Sequence, residues 1–184
     1  MKTGVVLAFD PGAERMGYAA INALPNKPIT RLGYGHLGVT RERNSQNKPE
    51  AYHGYRMRLI DFWLKMAPEL IQTYKPDIIV NEIVPVVGGG NFVAATQSQL
   101  AGTAITVVHA IAKQNGIPVE QIGATTVKAN IGGGGKATKV AVRNGVFKLI
   151  PELEVHKKEW TKMFDVSDAF AIGLTYLGCD NGRS

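Results

Sequence analysis

The strongest constraint on the fold is a short apolar run near the N-terminus that ends in a carboxylate. Residues 5–9 are continuously apolar and are followed by Asp10 and a Pro-Gly turn. Such a run is typical of a strand buried on both faces of a sheet. A carboxylate at the end of a buried strand is costly unless a cation or hydrogen-bond donors meet it. Asp10 could therefore hold a metal, shape a phosphate-binding turn or cap a hairpin.

The pattern along the rest of the chain predicts an α/β fold. Three strands with short links, typical of an antiparallel meander, are followed by two further buried strands: residues 4–10, 17–24, 29–39, 76–84 and 116–125. Helical spacing of apolar residues marks the remaining segments: residues 51–74, 93–114, 126–130, 138–149 and 166–177. Pro68 is expected to kink or split the first helix. The order predicts a mixed five-stranded sheet, three antiparallel strands and then two parallel ones, flanked by helices.

Composition excludes several classes of protein. No repeat or linker divides the 184 residues, so we expect one domain over residues 1–184. The most apolar stretch, 92–112, carries two glutamines and a histidine, which argues against a membrane span. The N-terminal apolar run is too short for a signal peptide. The one cysteine, Cys179, excludes an internal disulfide and a multi-cysteine zinc site, so we expect a reducing, cytoplasmic setting.

The distribution of positive charge indicates an anionic partner. The formal net charge is +6 at pH 7. Residues 121–151 contain no Asp or Glu but several basic residues, and a second basic cluster comes earlier: Lys128, Lys136, Lys139, Arg143 and Lys148, then Arg41, Arg43, Lys48, Arg56 and Arg58. Solvated helix faces usually mix charges of both signs, so this segregation favours nucleic-acid binding over an ordinary charged surface.

Four carboxylates are candidate functional residues, but most of them could also have a purely structural role when each is considered alone. Asp10 can accept backbone N–H groups in its own turn. Asp165 can cap a helix whose positive end also favours Asp168. Glu82 is harder to explain in this way, because the sequence around it, PDIIVNEIV, predicts a buried strand.

Taken together, the four acids favour a metal site. Asp165 and Asp168 are three residues apart on a predicted helix and therefore share a face. Carboxylates gathered there and at two strand ends would repel strongly in a low dielectric unless divalent cations neutralise them. Ligation by oxygen alone favours Mg²⁺ or Mn²⁺ over zinc. Two such ions about 4 Å apart suit phosphodiester hydrolysis, so we expect two Mg²⁺ per site with Mn²⁺ as a substitute.

Four segments, in this order, resemble the RuvC family of Holliday junction resolvases within the RNase H-like nucleases: FDPGAERMGYA, YKPDIIVNEIV, VKANIGGGGKATKVAV and DVSDAFAIGL. The resemblance covers nearly the whole chain. It implies an RNase H-like fold, metal dependence, a homodimer and symmetrical nicking of four-way DNA junctions. Carried over to this sequence, it implies the metal ligands Asp10, Glu82, Asp165 and Asp168.

The resemblance also implies roles for basic residues. Lys128 and Lys139 match two basic residues near the family's active site, with Lys139 closest to the scissile phosphate, where a cation stabilises the transition state. Lys136 follows the glycine run 132–135, which fails the P-loop pattern and is interpreted as a loop approaching DNA phosphate. Arg56 and Arg143 are the remaining predicted phosphate contacts.

The chain departs from the family pattern beside Glu82. The family commonly has Gln after this glutamate and a bulky apolar residue three positions further on, which probes the junction centre. Ile83 and Pro85 stand at these positions. Phe92, beyond the glycines at 88–90, could replace the probing residue or could instead pack against the next helix.

The leading hypothesis is a metal-dependent, structure-selective endonuclease that acts on branched DNA and leaves 5′-phosphate and 3′-hydroxyl ends. The alternative is a non-catalytic junction- or RNA-binding protein with a vestigial metal site. An actin-like ATPase or sugar kinase is disfavoured, because such proteins need two lobes of this size. The small-residue helix 93–114 could lie under the sheet or form a dimer interface, and the resemblance favours the homodimer.

Overall fold

A computed structural model describes residues 2–43, 45–48, 50–85, 92–161 and 164–181. The strands are β1 (Gly4–Asp10), β2 (Arg15–Ala23), β3 (Thr30–Gly38), β4 (Ile78–Glu82) and β5 (Val119–Ile122). The α-helices are α1 (Tyr52–Tyr74), α2 (Phe92–Gln114), α3 (Ala124–Gly132), α4 (Lys139–Leu149) and α5 (Phe164–Tyr176). Short 3₁₀ helices cover Pro151–His156 and Glu159–Thr161. The predicted loop at 88–90 lies outside the described residues.

The five strands form one mixed sheet in the order β3-β2-β1-β4-β5. β1, β2 and β3 pair antiparallel, whereas β4 is parallel to both β1 and β5. The predicted sheet is therefore confirmed. Because β1 and β4 are parallel neighbours, their carboxyl ends meet at one edge, where Phe9 pairs with Asn81.

Helices cover both faces of the sheet and create two apolar cores. Side chains alternate along β1, so that Val6 and Ala8 pack with α3, α4 and α5, while Leu7 and Phe9 pack with α1 and α2. The same alternation assigns Asp10 to the face covered by α5. Asp10 therefore lies on the face of the sheet that packs against α5, the helix that contains Asp165 and Asp168.

α1 is continuous from Tyr52 to Tyr74 although it contains Pro68, so the helix is not split at this proline. Pro68 lies on the exposed side of the helix, between the buried residues Ala67 and Leu70. Burial of the opposite side, including Trp63, holds the helix together despite the missing hydrogen-bond donor. Tertiary packing therefore overrides the local preference.

The 3₁₀ helices before α5 were not predicted, and they complete one of the two cores. Trp160 is fully buried there, stacked on Phe170 with ring centroids 5.5 Å apart and close to Phe147 and Tyr34. This aromatic group anchors the segment that leads into α5. Within the described residues, no helix is both long and apolar enough to cross a membrane.

Replacing Pro68 by alanine is expected to raise the free energy of unfolding by about 1–3 kcal/mol, because it restores the amide donor to the fourth preceding carbonyl. Urea unfolding would measure the change. Glu69→Ala, at an exposed neighbouring position, serves as the control and should change stability little. Destabilisation by Pro68→Ala would mean that proline fits this helix better than alanine.

Candidate active site

Two strands and one helix bring the four predicted acids to one edge of the sheet. Asp10 is the last residue of β1 and Glu82 is the last residue of β4. Asp165 and Asp168 lie in the first turns of α5, three residues apart and on one face. All four side chains are partly buried. Residues far apart in sequence therefore meet in one place.

Two connected depressions are built from these residues. Asp10, Glu82 and Asp168 line a cavity of about 140 Å³ together with Lys128 and Lys139. Asp10 and Glu82 also face a wider cleft of about 580 Å³, which Asp165 joins. The turn after β1 and the N-terminal half of α2 form the other walls of this cleft: residues 11–15 and 83–85, then Ala94, Gln97, Ser98 and Ala101.

Gly17 allows α5 to approach the sheet at the site. It lies on β2 directly opposite Asp10. A methyl group at this position would overlap the backbone carbonyl of Asp165. The absence of a side chain therefore sets how close Asp165 can come to Asp10.

Electrostatics confirm that the acids influence one another. Burial raises the pKa of Asp10 well above its usual range, and the charges of Asp168 and Glu82 raise it further. Burial, followed by repulsion from Asp168, also raises the pKa of Glu82. Burial raises the pKa of Asp168 too, although Lys139 works against this effect. The site therefore concentrates negative charge that its surroundings solvate poorly.

Lys139 is the cation closest to this charge. Its Nζ lies 3.0 Å from Asp168 Oδ2. Burial alone would lower the pKa of Lys139, but Asp168, Asp10 and Asp165 together raise it, so the ammonium form is favoured. The lysine begins α4, where Thr138 accepts a hydrogen bond from the Ala141 amide and caps the helix. Its side chain remains more than half exposed and accessible from the cleft.

Arg143, predicted to contact DNA, is placed differently. It is only 7% exposed, and its guanidinium lies over the Phe164 ring at 5.4 Å. Its Nε has no hydrogen-bond partner among the described residues. Because so little of the side chain is accessible, a direct contact of Arg143 with DNA would require this side chain to move, and its role stays a prediction.

The other predicted DNA-binding residues are divided between the site and other surfaces. Lys128 lines the smaller cavity, while Lys136 is exposed in the turn between α3 and α4. Phe92 is 82% exposed at the start of α2. Arg56 is exposed beside Gln99 and Gly102, on a different face of α2 from the cleft. Only Lys128 and Lys139 therefore join the carboxylates.

The second basic cluster is partly neutralised within the chain. Arg58 forms ion pairs with Glu50 and Glu42, and the Arg41 guanidinium donates to the Glu50 carbonyl. These contacts tie the segment before α1 to that helix. The acids that pair with the arginines are close in sequence, so charge segregation was a weaker signal here than in residues 121–151.

Two residues outside the cavity and the cleft support the site, and neither was predicted from the sequence pattern. The Tyr55 hydroxyl is shared between the carbonyls of Ala13 and Val39, at 3.1 and 2.7 Å, and so fixes the turn after Asp10. Burial raises the pKa of Tyr55 to about 12, which keeps the phenol a donor. Asn81 is fully buried before Glu82. Its signal in the sequence is an amide inside an otherwise apolar strand.

The chemistry of the side chains fits a hard divalent cation. The four acids offer only carboxylate oxygens, which Mg²⁺ and Mn²⁺ prefer. Among the residues that the structure describes, no three acidic, histidine or cysteine side chains already form a group that could hold one ion. The four carboxylates thus lie around two neighbouring depressions without meeting at one point.

The strand order and the acidic edge define an RNase H-like nuclease fold. The RuvC family model, described as crossover junction endodeoxyribonuclease RuvC, matches residues 6–176. The chain therefore belongs to the RuvC family.

Individual relatives extend this result. Proteins named crossover junction endodeoxyribonuclease RuvC from Saccharophagus degradans and Paenarthrobacter aurescens are 29% and 30% identical to this chain. The alignments cover 94% and 97% of this chain and 87% of each relative.

The structure of Thermus thermophilus RuvC in complex with Holliday junction substrate matches with a TM-score of 0.68 at 22% identity, over 94% of this chain and 92% of that one. The yeast mitochondrial Holliday junction resolvase Ydc2 matches with a TM-score of 0.56 at 15% identity, over 94% and 78%. These structural likenesses confirm the fold.

Asp10→Asn is expected to stabilise the protein in the presence of a chelator, because it removes a buried charge that Asp168 and Glu82 repel. We expect Tm at neutral pH to rise by at least about 2 °C. Since the folded-state pKa of Asp10 is raised, the gain should shrink as the pH falls and the wild-type carboxyl takes up its proton. Thermal unfolding across this pH range, with the exposed Asp61→Asn as control, would check both expectations. An unchanged or lower Tm for Asp10→Asn would contradict the repulsion.

Proposed function

We propose that this chain is a Mg²⁺-dependent endonuclease that resolves four-way DNA junctions by symmetrical paired nicks. The observation that carries the proposal is the gathering of four carboxylates and Lys139 at one edge of an RNase H-like sheet. Asp10, Glu82 and Lys139 line two neighbouring depressions there, one of which also contains Asp168 and the other Asp165. Membership of the RuvC family supports the reaction class. The Thermus relative in complex with Holliday junction substrate supports branched DNA as the substrate.

The proposed metal ligands are Asp10, Glu82, Asp165 and Asp168. Two Mg²⁺ ions bound there, or Mn²⁺ in their place, would supply an activated water and stabilise the leaving oxygen of a phosphodiester, giving 5′-phosphate and 3′-hydroxyl ends. The chain contributes rigid attachment for each ligand. Two ligands end paired strands, and the other two belong to a helix with an almost fully buried core-facing side.

Lys139 is proposed to hold the scissile phosphate. Its ammonium group lies between the acidic cavity and the open cleft, where it can exchange Asp168 for a phosphate oxygen. A cation at that point stabilises charge that develops in the transition state. Lys128, which lines the same cavity, would add to the positive potential, while the exposed Lys136 would contact the DNA backbone further out.

The cleft beside the acids is the proposed path of the cleaved strand. The exposed Ile83 lines this cleft, and the exposed Phe92 lies two residues before Ala94, the first residue of α2 to line it. Phe92 begins α2 and is therefore held at its backbone by a helix, with its ring in solvent. We assign it the role of stacking on a base at the branch point, where base pairs are interrupted and a π-face is available.

A homodimer is part of the proposal. Paired nicks on two strands of one junction require two equivalent sites, which a two-fold dimer supplies. The outer face of α2 offers a groove whose floor contains Gly102, Thr103 and Thr106, bordered by Arg56 and Ile60 of α1. Small residues there would allow the same helix of a second copy to come close.

The function is tested with a labelled four-way junction, a matched linear duplex and an RNA–DNA hybrid, each with Mg²⁺, Mn²⁺ or a chelator. We expect the wild type to nick the junction in either metal and to leave the duplex and the hybrid largely intact. Asp10→Asn should lower the nicking rate by at least about 100-fold, since a metal ligand is lost, yet retain junction binding. Asp61→Asn is the control of equal charge change.

Full cleavage by Asp10→Asn would overturn the ligand assignment. Tight junction binding without cleavage in either metal would instead identify a non-catalytic junction-binding protein. Preferential cutting of the RNA–DNA hybrid would place the chain among nucleases of a different substrate class.

Phe92→Ala tests selectivity separately from chemistry. We expect the ratio of junction to duplex cleavage to fall about tenfold, which corresponds to the loss of one stacked base. The matched control is Val155→Ala, because Val155 is equally exposed at 81% but belongs to the 3₁₀ helix Pro151–His156 and not to α2. Equal ratios for the two variants would exclude Phe92 from recognition of the branch point.

A further inference from the structure

Asn81 is a buried amide that bridges α2 and the end of β4. Its side chain is fully buried, on the face of β4 opposite to Glu82. Asn81 Nδ2 donates to the Glu82 carbonyl at 2.7 Å, and its Oδ1 lies 2.7 Å from His109 Nε2. An asparagine is rare inside a sheet, and burial is costly unless its polar atoms are bonded. The NH₂ group and the oxygen of the Asn81 side chain therefore each have a hydrogen-bond partner.

The backbone explains why Glu82 needs this donor. The paired register of β1 and β4 ends at Phe9 and Asn81. In a parallel ladder, the amide that would next bond the Glu82 carbonyl is the one after Asp10. That residue is Pro11, which has no N–H. The Asn81 side chain supplies the missing donor at the point where the ladder stops.

The chemistry of the partners fixes the orientation of both side chains. A carbonyl can only accept, so the NH₂ group of Asn81 must face Glu82 and its oxygen must face His109. His109 Nε2 must then carry a proton and donate it to this bond. Burial lowers the pKa of His109, which favours the neutral ring with that proton in place. The result is a directed chain of two hydrogen bonds from α2 to the backbone of Glu82.

We propose that Asn81 and His109 are positioning residues that fix the carboxyl end of β4 and thereby the Glu82 carboxylate. The consequence for metal binding rests on the proposed function, in which Glu82 is a ligand. Groups that orient metal ligands from behind typically change metal affinity by about 10–100-fold when removed. Neither residue touches the cavity, so neither is a catalytic residue.

Two readouts separate positioning from general stability. Hydrogen exchange at the Ile83 amide, which donates to the Ile122 carbonyl at 3.0 Å, reports the end of β4. Exchange at Val80, in the middle of the same strand, reports opening of the whole sheet. The dissociation constant for Mn²⁺, followed by the EPR signal of the free ion, reports the ligand set without any DNA.

Asn81→Leu removes the donor to Glu82 while keeping a similar shape. We expect Ile83 to exchange several-fold faster relative to Val80, and the Mn²⁺ dissociation constant to rise about tenfold or more. The double variant Asn81→Leu/His109→Leu also removes the His109 donor that Asn81→Leu leaves unpaired, so part of the global stability should return. The Glu82 carbonyl still lacks its donor in this variant. The exchange ratio and Mn²⁺ affinity of the double variant should therefore stay at the values for Asn81→Leu. His109→Gln keeps a donor and should behave like the wild type.

Three results would overturn the inference. An unchanged ratio of Ile83 to Val80 exchange in Asn81→Leu would show that the amide does not fix the strand end. A faster Ile83 with unchanged Mn²⁺ affinity would show that fixing it does not serve the ligand. Full recovery of both readouts in the double variant would reduce the pair to a structural role.

Failure of the proposed function is recognised separately through Glu82→Gln. If this variant binds Mn²⁺ as tightly as the wild type does, Glu82 is not a ligand and the metal assignment fails. The exchange ratio then decides alone whether Asn81 and His109 position the end of β4.

Discussion

The mutual repulsion of carboxylates at one edge of the sheet is the constraint to which the surrounding structure responds. Burial raises the pKa of Asp10, Glu82 and Asp168, and repulsion from neighbouring carboxylates raises each of these pKa values further. Such a site lowers stability, so it must be held together by other parts of the molecule. The two apolar cores, one on each face of the sheet, provide that stability. Lys139 offsets part of the negative charge from one side.

Support for the site comes mainly through backbone groups. Tyr55 holds the carbonyl of Ala13, and Asn81 holds the carbonyl of Glu82. Each bond fixes the chain next to an acidic residue without competing for its carboxylate. The oxygens of Asp10 and Glu82 therefore remain available to the cavity, while the strands that carry them are anchored from α1 and α2.

Features set by local sequence were predictable, and features set by tertiary contacts were not. The bounds of β1 follow from one apolar run that ends at Asp10, and the antiparallel pairing of the first three strands follows from the short links between them. The four acids were found because carboxylates are conspicuous beside buried strands. The predicted split of α1 at Pro68 does not occur, because packing of one helix face outweighs the missing hydrogen bond. The burial of Arg143 against Phe164 was not predicted, because the sequence reveals the charge of this residue but not its tertiary contacts.

The missing side chain of Gly17 has a consequence for how the acidic edge is assembled. Asp10 and Glu82 belong to strands, whereas Asp165 and Asp168 belong to α5, so the spacing between the two pairs depends on how closely the helix packs on the sheet. A Cβ at position 17 would overlap the Asp165 carbonyl and push the helix away. A residue that contributes no side chain therefore helps to set the spacing between acids that come from different parts of the chain.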